Sequence, residues 1–515
     1  MMRTRQSSLF AGALLGLAFL GLAACATNAV NMAPPNAATP WVPNGDEDGV
    51  WTARVKPPSP DAVAASRNGA PDFRIPADPA LAVLPQTPPD VDPNRAYGLP
   101  ELIDIAQRNN PNTRISWQNA RTAALAVGMV EVSYLPLITA NAIGGHQTVR
   151  SPLPLGTQRY LETTTEGITS SVALQWLVFD FGQRAAVADA AKHGAIAANM
   201  LFNGSHQKLI FNVTRSYYAY GAAADRARLA RETLGNSIAI RNAVEQRAGL
   251  GLATSVEVAQ ARQQVAQSEL RRVQAEGQQR DAYQALITAM GVNPMLRLRI
   301  KDAGRRPMPD AVHLPVDAMV KLALAQRPDV AASYSSLRAS RANIRAAEAE
   351  FMPKIFIAGS HSSGQGSFNV NGLPNIGQQA NGTGVLLGAT VPLYDGGLRA
   401  AQLRTVQSRA AVAADTFEQT QTAAVTEIVI ASNTLRTALA SYKASSALAS
   451  AASTTYNAAL ASYRNGVGTL TAATAADSGL LDARQAQSDA HAAVLISAAN
   501  LAFVLGAMTS RDTVP

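Results

Sequence analysis

Two aspartates, Asp180 and Asp395, are the side chains most plainly placed by the sequence to do chemistry. They sit in matching stretches, Leu177-Val178-Phe179-Asp180-Phe181-Gly182-Gln183-Arg184 and Leu393-Tyr394-Asp395-Gly396-Gly397-Leu398-Arg399. A carboxylate can serve as acid, base, metal ligand or hydrogen-bond acceptor, and the flanking residues choose among these. Each Asp follows a run of alternating residues and precedes a very long Ala-rich stretch, so each marks a strand turning into a helix. There it accepts hydrogen bonds from the free N–H groups of the first helical turn. Gly182 and Gly397 permit the bend where the period changes, and Phe179 and Tyr394 suit a membrane–water boundary. The other reactive residues form no catalytic set. His146, His193, His206, His313, His361 and His491 are scattered, no two of them at i, i+4, and there is no HExxH motif or cysteine cluster. Gly249-Leu250-Gly251 lacks the preceding strand that a nucleotide-binding turn requires. The expectation is a protein without enzymatic activity, metal or bound cofactor.

Cys25 is the one residue expected to be modified. Residues 1–24 begin with Arg3 and Arg5, continue with an apolar run from Leu9 to Leu22, and have the design of a secretory signal. The signal ends in Leu22-Ala23-Ala24-Cys25, which resembles the lipobox of bacterial lipoproteins, in which the Cys becomes the lipidated first residue. That resemblance, with Ala26 rather than Asp following, points to the outer membrane. Acyl chains would anchor it by about 0.8 kcal/mol per buried CH₂. An ordinary signal peptide with a chance Cys is the alternative. Cys25 is the only cysteine, so no disulfide can form within the chain. Residues 25–97 are rich in Pro, Ala, Asn and Asp without a sustained period, and read as an extended tether. Trp41 and Trp51 either dock it against the body or are incidental.

The elements that hold the two aspartates occur twice. Residues 98–291 and 316–507 form two repeats, joined by a linker at 292–315 and followed by a tail at 508–515. Pro111 to Pro328 and Pro136 to Pro353 are both 217 positions, while Gly182 to Gly397, Gly251 to Gly466 and Gly291 to Gly506 are all 215. In each repeat a helix is interrupted at X-Pro (Asn110-Pro111, Arg327-Pro328) and resumes. A strand pair follows, at 137–179 and again at 354–394. In the first, strands are expected at Leu137–Gln147 and Gly167–Phe179. Ile168, Ser170, Val172, Leu174, Trp176 and Val178 fall there on one, mostly apolar, face and Thr169, Ser171, Ala173 and Gln175 on the other, mostly polar one. In the second, strands are expected at Lys354–His361 and Thr383–Tyr394, around a Gly/Asn/Gln-rich loop. Such strands suit a transmembrane barrel, which a tilted strand of about 9–11 residues crosses.

Each junction then launches a Pro-free helix, Arg184–Ala248 and Leu398–Arg464, of about 100 Å if continuous. A Gly-rich tip turns each back into a helix, Thr254–Met290 and Thr471–Leu505. The composition agrees with long helices packed side by side: 16% of the 515 residues are charged and 5% aromatic. The net charge of +8, or +6 once Arg3 and Arg5 leave with the signal, and the lack of a Lys/Arg cluster argue against nucleic-acid binding. Four strands cannot close a barrel, and open sheet edges do not survive in lipid. Several chains are therefore needed. Two would give eight strands with a nearly filled interior, and three would give twelve with a passage.

This duplicated plan resembles the TolC-like outer-membrane efflux channel family over about Leu99 to Ala507. Gln175-Trp176-Leu177-Val178-Phe179-Asp180-Phe181-Gly182 resembles that family's strand-to-helix signature. Gly251-Leu252-Ala253-Thr254-Ser255-Val256-Glu257-Val258-Ala259-Gln260-Ala261 resembles its first periplasmic tip, and Tyr463-Arg464-Asn465-Gly466 its second. The resemblance implies a mainly α fold with membrane β. Four strands per chain would enter a trimeric 12-stranded barrel that continues as a long periplasmic helical barrel. With Cys25, it is closest to the lipoprotein branch. It also implies a passive channel, a periplasmic membrane-fusion adaptor and an inner-membrane pump, with the resistance-nodulation-division type favoured and an ABC transporter as the other option. Glu257 occupies the position of an acidic gate residue. The second-repeat positions for the family's aspartate ring are Ala472 and Ala475, with Asp477 out of register and matching Arg262, so such a ring is not expected. Arg247, Glu257, Arg262, Tyr463 and Arg464 are the candidate gate; Gly249, Gly251, Gly466, Val467 and Gly468 are candidate adaptor contacts. Multidrug or small-molecule efflux is the leading expectation. The alternatives are the exit duct of a type I protein secretion system and a structural coiled-coil lipoprotein spacer, which the period-two strands oppose.

Overall fold

The computed structural model describes residues 91–152, 160–302, 308, 311, 315–370 and 374–508, with short stretches at 44–45, 51–52, 75 and 77–82. Cys25, Trp41 and nearly all of the C-terminal tail lie outside the described residues. Residues up to Gln86 form one unit and those from Thr87 another. In the first unit, β1 (Asn44–Gly45) pairs antiparallel with β2 (Trp51–Thr52) through Gly45 and Trp51. The second unit holds both repeats.

Its chain begins earlier than the expected tether boundary at 97. Val91 and Tyr97 are buried, and β3 (Ala96–Tyr97) pairs in parallel with β6 (Arg299–Ile300). Apolar side chains among the prolines carry this segment into the core, where the Tyr97 hydroxyl accepts from the Asp92 N–H at 2.9 Å. The repeats then follow in order. The first holds α1 (Leu99–Asn109), α2 (Pro111–Val132), β4 (Leu137–Pro152), β5 (Tyr160–Phe179), α3 (Gln183–Gly249) and α4 (Ser255–Met290). The second holds α5 (Val316–Gln326), α6 (Pro328–Ala349), β7 (Lys354–Val370), β8 (Ile376–Thr390), α7 (Leu398–Arg464) and α8 (Leu470–Val504). Asn110 and Arg327 each sit at extended ψ of 125°, as the following Pro demands. The Asn110 side chain then accepts the Asn112 N–H at 2.8 Å and restarts the helix.

These breaks form the middle of the molecule. Gly291, at φ 70°, ends α4 against Asn110, where a Cβ would come within 2.6 Å of the Asn110 amide nitrogen; Gly506 ends the second repeat against Gln326 and Arg327 in the same way. The largest core lies beside them, with Leu102, Val213, Leu286, Ile287 and Met290 essentially inaccessible.

The four long strands make one antiparallel sheet in the order β4-β5-β7-β8. Their register puts Ile138, Leu174, Trp176, Ile357, Val385 and Leu387 on one face. This apolar band runs from Trp176 to Ile168, eight steps or about 26 Å along the strand, which is the scale of a lipid-facing band. Past it the same face turns charged, with His146 paired to Glu166 at 2.6 Å and Arg150 to Glu162 at 2.7 Å. The opposite face carries small and polar residues, including Ser171, Ser360, Gly364 and Gly384. All four strands are longer than expected. The Gly/Asn/Gln-rich stretch placed in a loop after His361 is mostly strand, as are Thr148 to Pro152 and Tyr160 to Glu166. Where both faces are polar, backbone pairing continues after the apolar alternation stops. β8 conversely ends at Thr390 rather than Tyr394, because Pro392 has no N–H for the ladder.

Below the sheet the helices lie edge to edge. Along the half nearer the sheet α2 packs on α3, α3 on α6 and α6 on α7; along the other half the order is α4, α3, α8, α7. One boundary of this layer is thus β4, α2 and α4. The other is β8 and α7.

Candidate functional site: junctions and helix tips

At the first junction the Asp180 carboxylate accepts from the Gly182 N–H at 3.3 Å and the Arg184 N–H at 3.0 Å. The helix's own N-cap is Gly182, at φ 90°, so Asp180 acts from two residues further out. Phe181 bridges them at φ 52°, an unusual backbone for a residue with a side chain. Arg184 completes the site: its Nε donates to Asp180 at 2.8 Å, Nη1 to the Ser133 carbonyl at 2.9 Å and Nη2 to the Val178 carbonyl at 3.2 Å. Its guanidinium also lies 4.7 Å from the Tyr134 ring centre. One cation therefore joins the end of α2, the end of β5 and the start of α3.

The second junction repeats the design. Asp395 accepts from the Gly397 and Arg399 N–H groups at 3.0 and 3.1 Å and from Arg399 Nε at 2.6 Å. Arg399, hydrogen-bonded through both side chain and backbone, is the main reason the Asp395 carboxyl is lowered to about 2. Phe179 is half exposed and Tyr394 almost wholly so. Arg184 and Arg399 were not singled out by sequence reading, although both stand four residues after their Asp, the spacing that joins side chains along one helical face.

At the far end, α3 runs into Leu250 and Gly251 and returns at Thr254; α7 runs into Asn465 and Gly466 and returns at Thr469. Gly251 and Gly466 take positive φ of 72° and 77°. Gly468 approaches the Ser462 backbone so closely that a Cβ would meet it at 3.0 Å, whereas Gly249 has open space. Leu250, Leu252 and Val467 are 75%, 65% and 83% exposed, so the two tips present apolar side chains to solvent.

The five candidate gate residues divide into separate contacts. Arg247 and Tyr463 join the hairpins: Nη1 of Arg247 donates to the Tyr463 carbonyl at 3.0 Å, and the guanidinium lies 5.1 Å from the Tyr463 ring centre. The ring is buried with Ile240, Val244, Leu470 and Ala473, and its hydroxyl has no hydrogen-bond partner among the described residues. Burial pushes the phenol's pKa up, against the opposing charge of Arg247. Glu257 instead closes a capping box. Its Oε2 accepts from the Thr254 N–H at 2.7 Å and hydroxyl at 3.0 Å, and the backbone bond is the first cause of its lowered pKa. Arg262 bonds to Glu245 at 2.9 Å within the first hairpin. Arg464 is exposed and makes no ion pair among the described residues.

A further polar centre lies about two turns into α8. Asp477 is 1% exposed and accepts from Asn236 Nδ2 at 3.1 Å and Ser237 Oγ at 3.3 Å, while Ser237 and Ser268 hydroxyls are 2.9 Å apart. Three helices, α3, α4 and α8, meet there. Burial pushes the Asp477 carboxyl up, against the two hydrogen bonds and the Arg271 guanidinium. Its spacing after Leu470 and Ala473, before Leu480 and Leu481, puts Asp477 on the buried stripe of α8 and would have exposed it in the sequence.

Comparison with known proteins fits this geometry. The description "outer membrane efflux protein" matches residues 102–292 and 319–507. Outer membrane protein OprJ of Pseudomonas aeruginosa is 28% identical over 343 residues, 66% of this chain and 70% of the relative. A probable outer membrane lipoprotein of Salmonella typhimurium, SilC, is 25% identical over 328 residues, 62% of this chain and 66% of its own. The solved structure of CusC superposes with a TM-score of 0.68 at 20% identity, covering 85% of this chain and 99% of that one. With both repeats matched, the chain belongs to the outer membrane efflux protein family.

Proposed function

We propose that three copies close edge to edge into a conduit that passively carries small molecules out of the cell. The supply is an inner-membrane pump, joined to the tips by a periplasmic adaptor. The observation that carries this reading is the pair of open boundaries, β4 with α2 and α4 on one side and β8 with α7 on the other. An unpaired strand edge is not tolerated in hydrocarbon. These two edges differ from each other, so copies must join head to tail, and a ring is the closed solution. Twelve strands leave a passage where eight would be filled by side chains.

The exposed Leu250, Leu252 and Val467 favour a docked protein at the tips, beside the turns made by Gly249, Gly251, Gly466 and Gly468. Arg247 and Tyr463 are the contact that ties the two hairpins when the end is shut. Glu257, Arg262 and Arg464 shape the surface around it. Cys25 carries a covalent lipid that adds to the anchoring of the barrel, a reading supported by the likeness to a probable outer membrane lipoprotein.

In planar bilayers the purified protein should conduct ions; absence of conductance from a correctly assembled preparation would return the spacer reading. In cells, a photoreactive side chain at Val467 should capture a periplasmic adaptor and a proton-driven pump. Capture of an ATP-driven transporter instead would turn the reading toward peptide or protein export.

A further inference from the structure

The two repeats let one contact inside the chain stand for a contact between chains. If copies join head to tail, α7 of one copy meets α2 of the next as α3 meets α6 within the chain. Three points fix that internal seam. Gln183 Nε2 donates to Glu350 at 3.3 Å near the sheet, the Cβ position of Gly204 lies 3.4 Å from Pro328, and Gln207 Nε2 donates to the Gly506 carbonyl at 2.9 Å. The repeat offset carries α3 onto α7 by 215 positions (182 to 397) and α6 onto α2 by 217 (328 to 111). Gly204 against Pro328 becomes Gln419 against Pro111 of the next copy. Gln207 against Gly506 becomes Thr422 against Gly291.

One turn from Pro111 stands Arg114. One turn before Gln419 stands Asp415; Glu418, three residues after Asp415, adjoins Gln419. The helix faces agree. α2 turns Thr113 and Ala120 toward α3, which leaves Pro111 and Gln118 on the opposite, open side and Arg114 exposed about a quarter-turn from the buried face. α7 buries Ala410, Ala424 and Ile428, and Asp415, Gln419 and Thr422 lie opposite them. Asp415, Glu418 and Gln419 line an open groove of about 610 Å³ along this edge. Arg114, Asp415 and Glu418 are all exposed, and none makes a side-chain ion pair among the described residues. A cation and two anions are thus left unmatched at the one level where the repeat places them face to face.

We propose that Arg114 of one copy seats between Asp415 and Glu418 of the next, and that this contact sets the register in which copies close. It rests on the head-to-tail ring proposed above. The corresponding internal positions, Ala331 opposite Met200 and Asn203, carry no charge, so the contact belongs to the seam between copies. Its geometry suits a guanidinium fork on paired carboxylates.

Membranes bearing the full chain with Arg114→Cys and Asp415→Cys, treated with a short thiol-bridging reagent, should give a covalent ladder ending at three copies. The parent, with Cys25 alone, reports the background. Arg114→Cys with Ser408→Cys, two turns away, should couple at least tenfold less. Coupling no better than that control, in protein that sizes as three copies, overturns the contact and leaves the ring standing. Protein that sizes as a single copy overturns both. A second measurement guards against misfolding of the cysteine variants. Arg114→Glu should lower the thermal midpoint of the assembled protein, and adding Asp415→Lys and Glu418→Lys should restore it. A triple variant no more stable than the single one also overturns the contact.

Discussion

Single side chains near the tips divide between holding the hairpins together and shaping one hairpin alone. Arg247 reaches the other hairpin, so Arg247→Ala should raise single-channel conductance in bilayers, while Glu257→Gln, which keeps an acceptor for Thr254, should conduct like the parent. The Tyr463 hydroxyl is buried without a partner among the described residues, a state that costs about 1–3 kcal/mol. Tyr463→Phe should therefore unfold at a higher urea concentration than the parent, with conductance unchanged. Asp477 gives a pH dependence. Its folded carboxyl titrates above the ordinary aspartate value, so the folded protein holds that proton more tightly than the unfolded chain does. The stability it lends is present below the ordinary aspartate value and is lost as pH rises through the raised one. The advantage of Asp477→Asn over the parent, followed by urea midpoints, should grow from pH 4 to pH 7. The sequence offered Glu257 as a gate candidate by its place in the tip motif, and motif position records where a residue stands and not which way its carboxylate turns. The nearby Thr254 offered two donors, and a local capping box took the side chain first.

Elements are decided by backbone needs as much as by pattern, and the sequence was legible where the two coincide. Both X-Pro breaks, both junctions and the long helices were readable, because Pro and Gly act through the backbone of their own position. The strand ends were not. Apolar alternation stops at Ile168, where lipid contact ends, while the hydrogen-bonded ladder runs on to Tyr160. Each junction is a carboxylate and an arginine that fasten three elements at one point. At the first, both side chains are nearly buried, at 7% and 12% exposure, whereas Asp395 is 27% exposed at the second. Arg184→Ala leaves a shielded carboxylate without its cation and should cost about 3 kcal/mol, and Arg399→Ala should cost less. Thermal unfolding of the two variants side by side measures the difference. Equal losses would mean that the carbonyl contacts, and not the ion pair, hold the corner.

For the molecule as a whole, the seams differ in strength. Inside the chain α3 and α8 are tied by Arg226 to Asp489 at 2.7 Å, Asp225 to Ser488 at 3.2 Å and the Asp477 cluster. Shifted by the repeat, the α3 positions 225, 226, 236 and 237 become Ala440, Ser441, Ala451 and Ala452 on α7, the helix that faces the next copy. Small residues there permit sliding where the internal seam resists it. Opening should therefore follow the boundary between copies. A crosslink fastening α3 to α8 should leave conductance intact, and one fastening α7 to α4 of the next copy should abolish it. The unbroken length of α3 and α7 then acquires a mechanical meaning. Each is a single rod of 67 residues, about 100 Å long, clamped at one corner by an arginine and again near its middle, where Val213 and Ile428 enter buried cores. A swing of about 4° about the middle clamp moves the far end, about 54 Å away, by about 3.8 Å, which is more than the width of a water molecule. A partner pushing on the tips gains the full lever arm, so a small torque at the far end can dilate the pore while the barrel in the membrane barely turns.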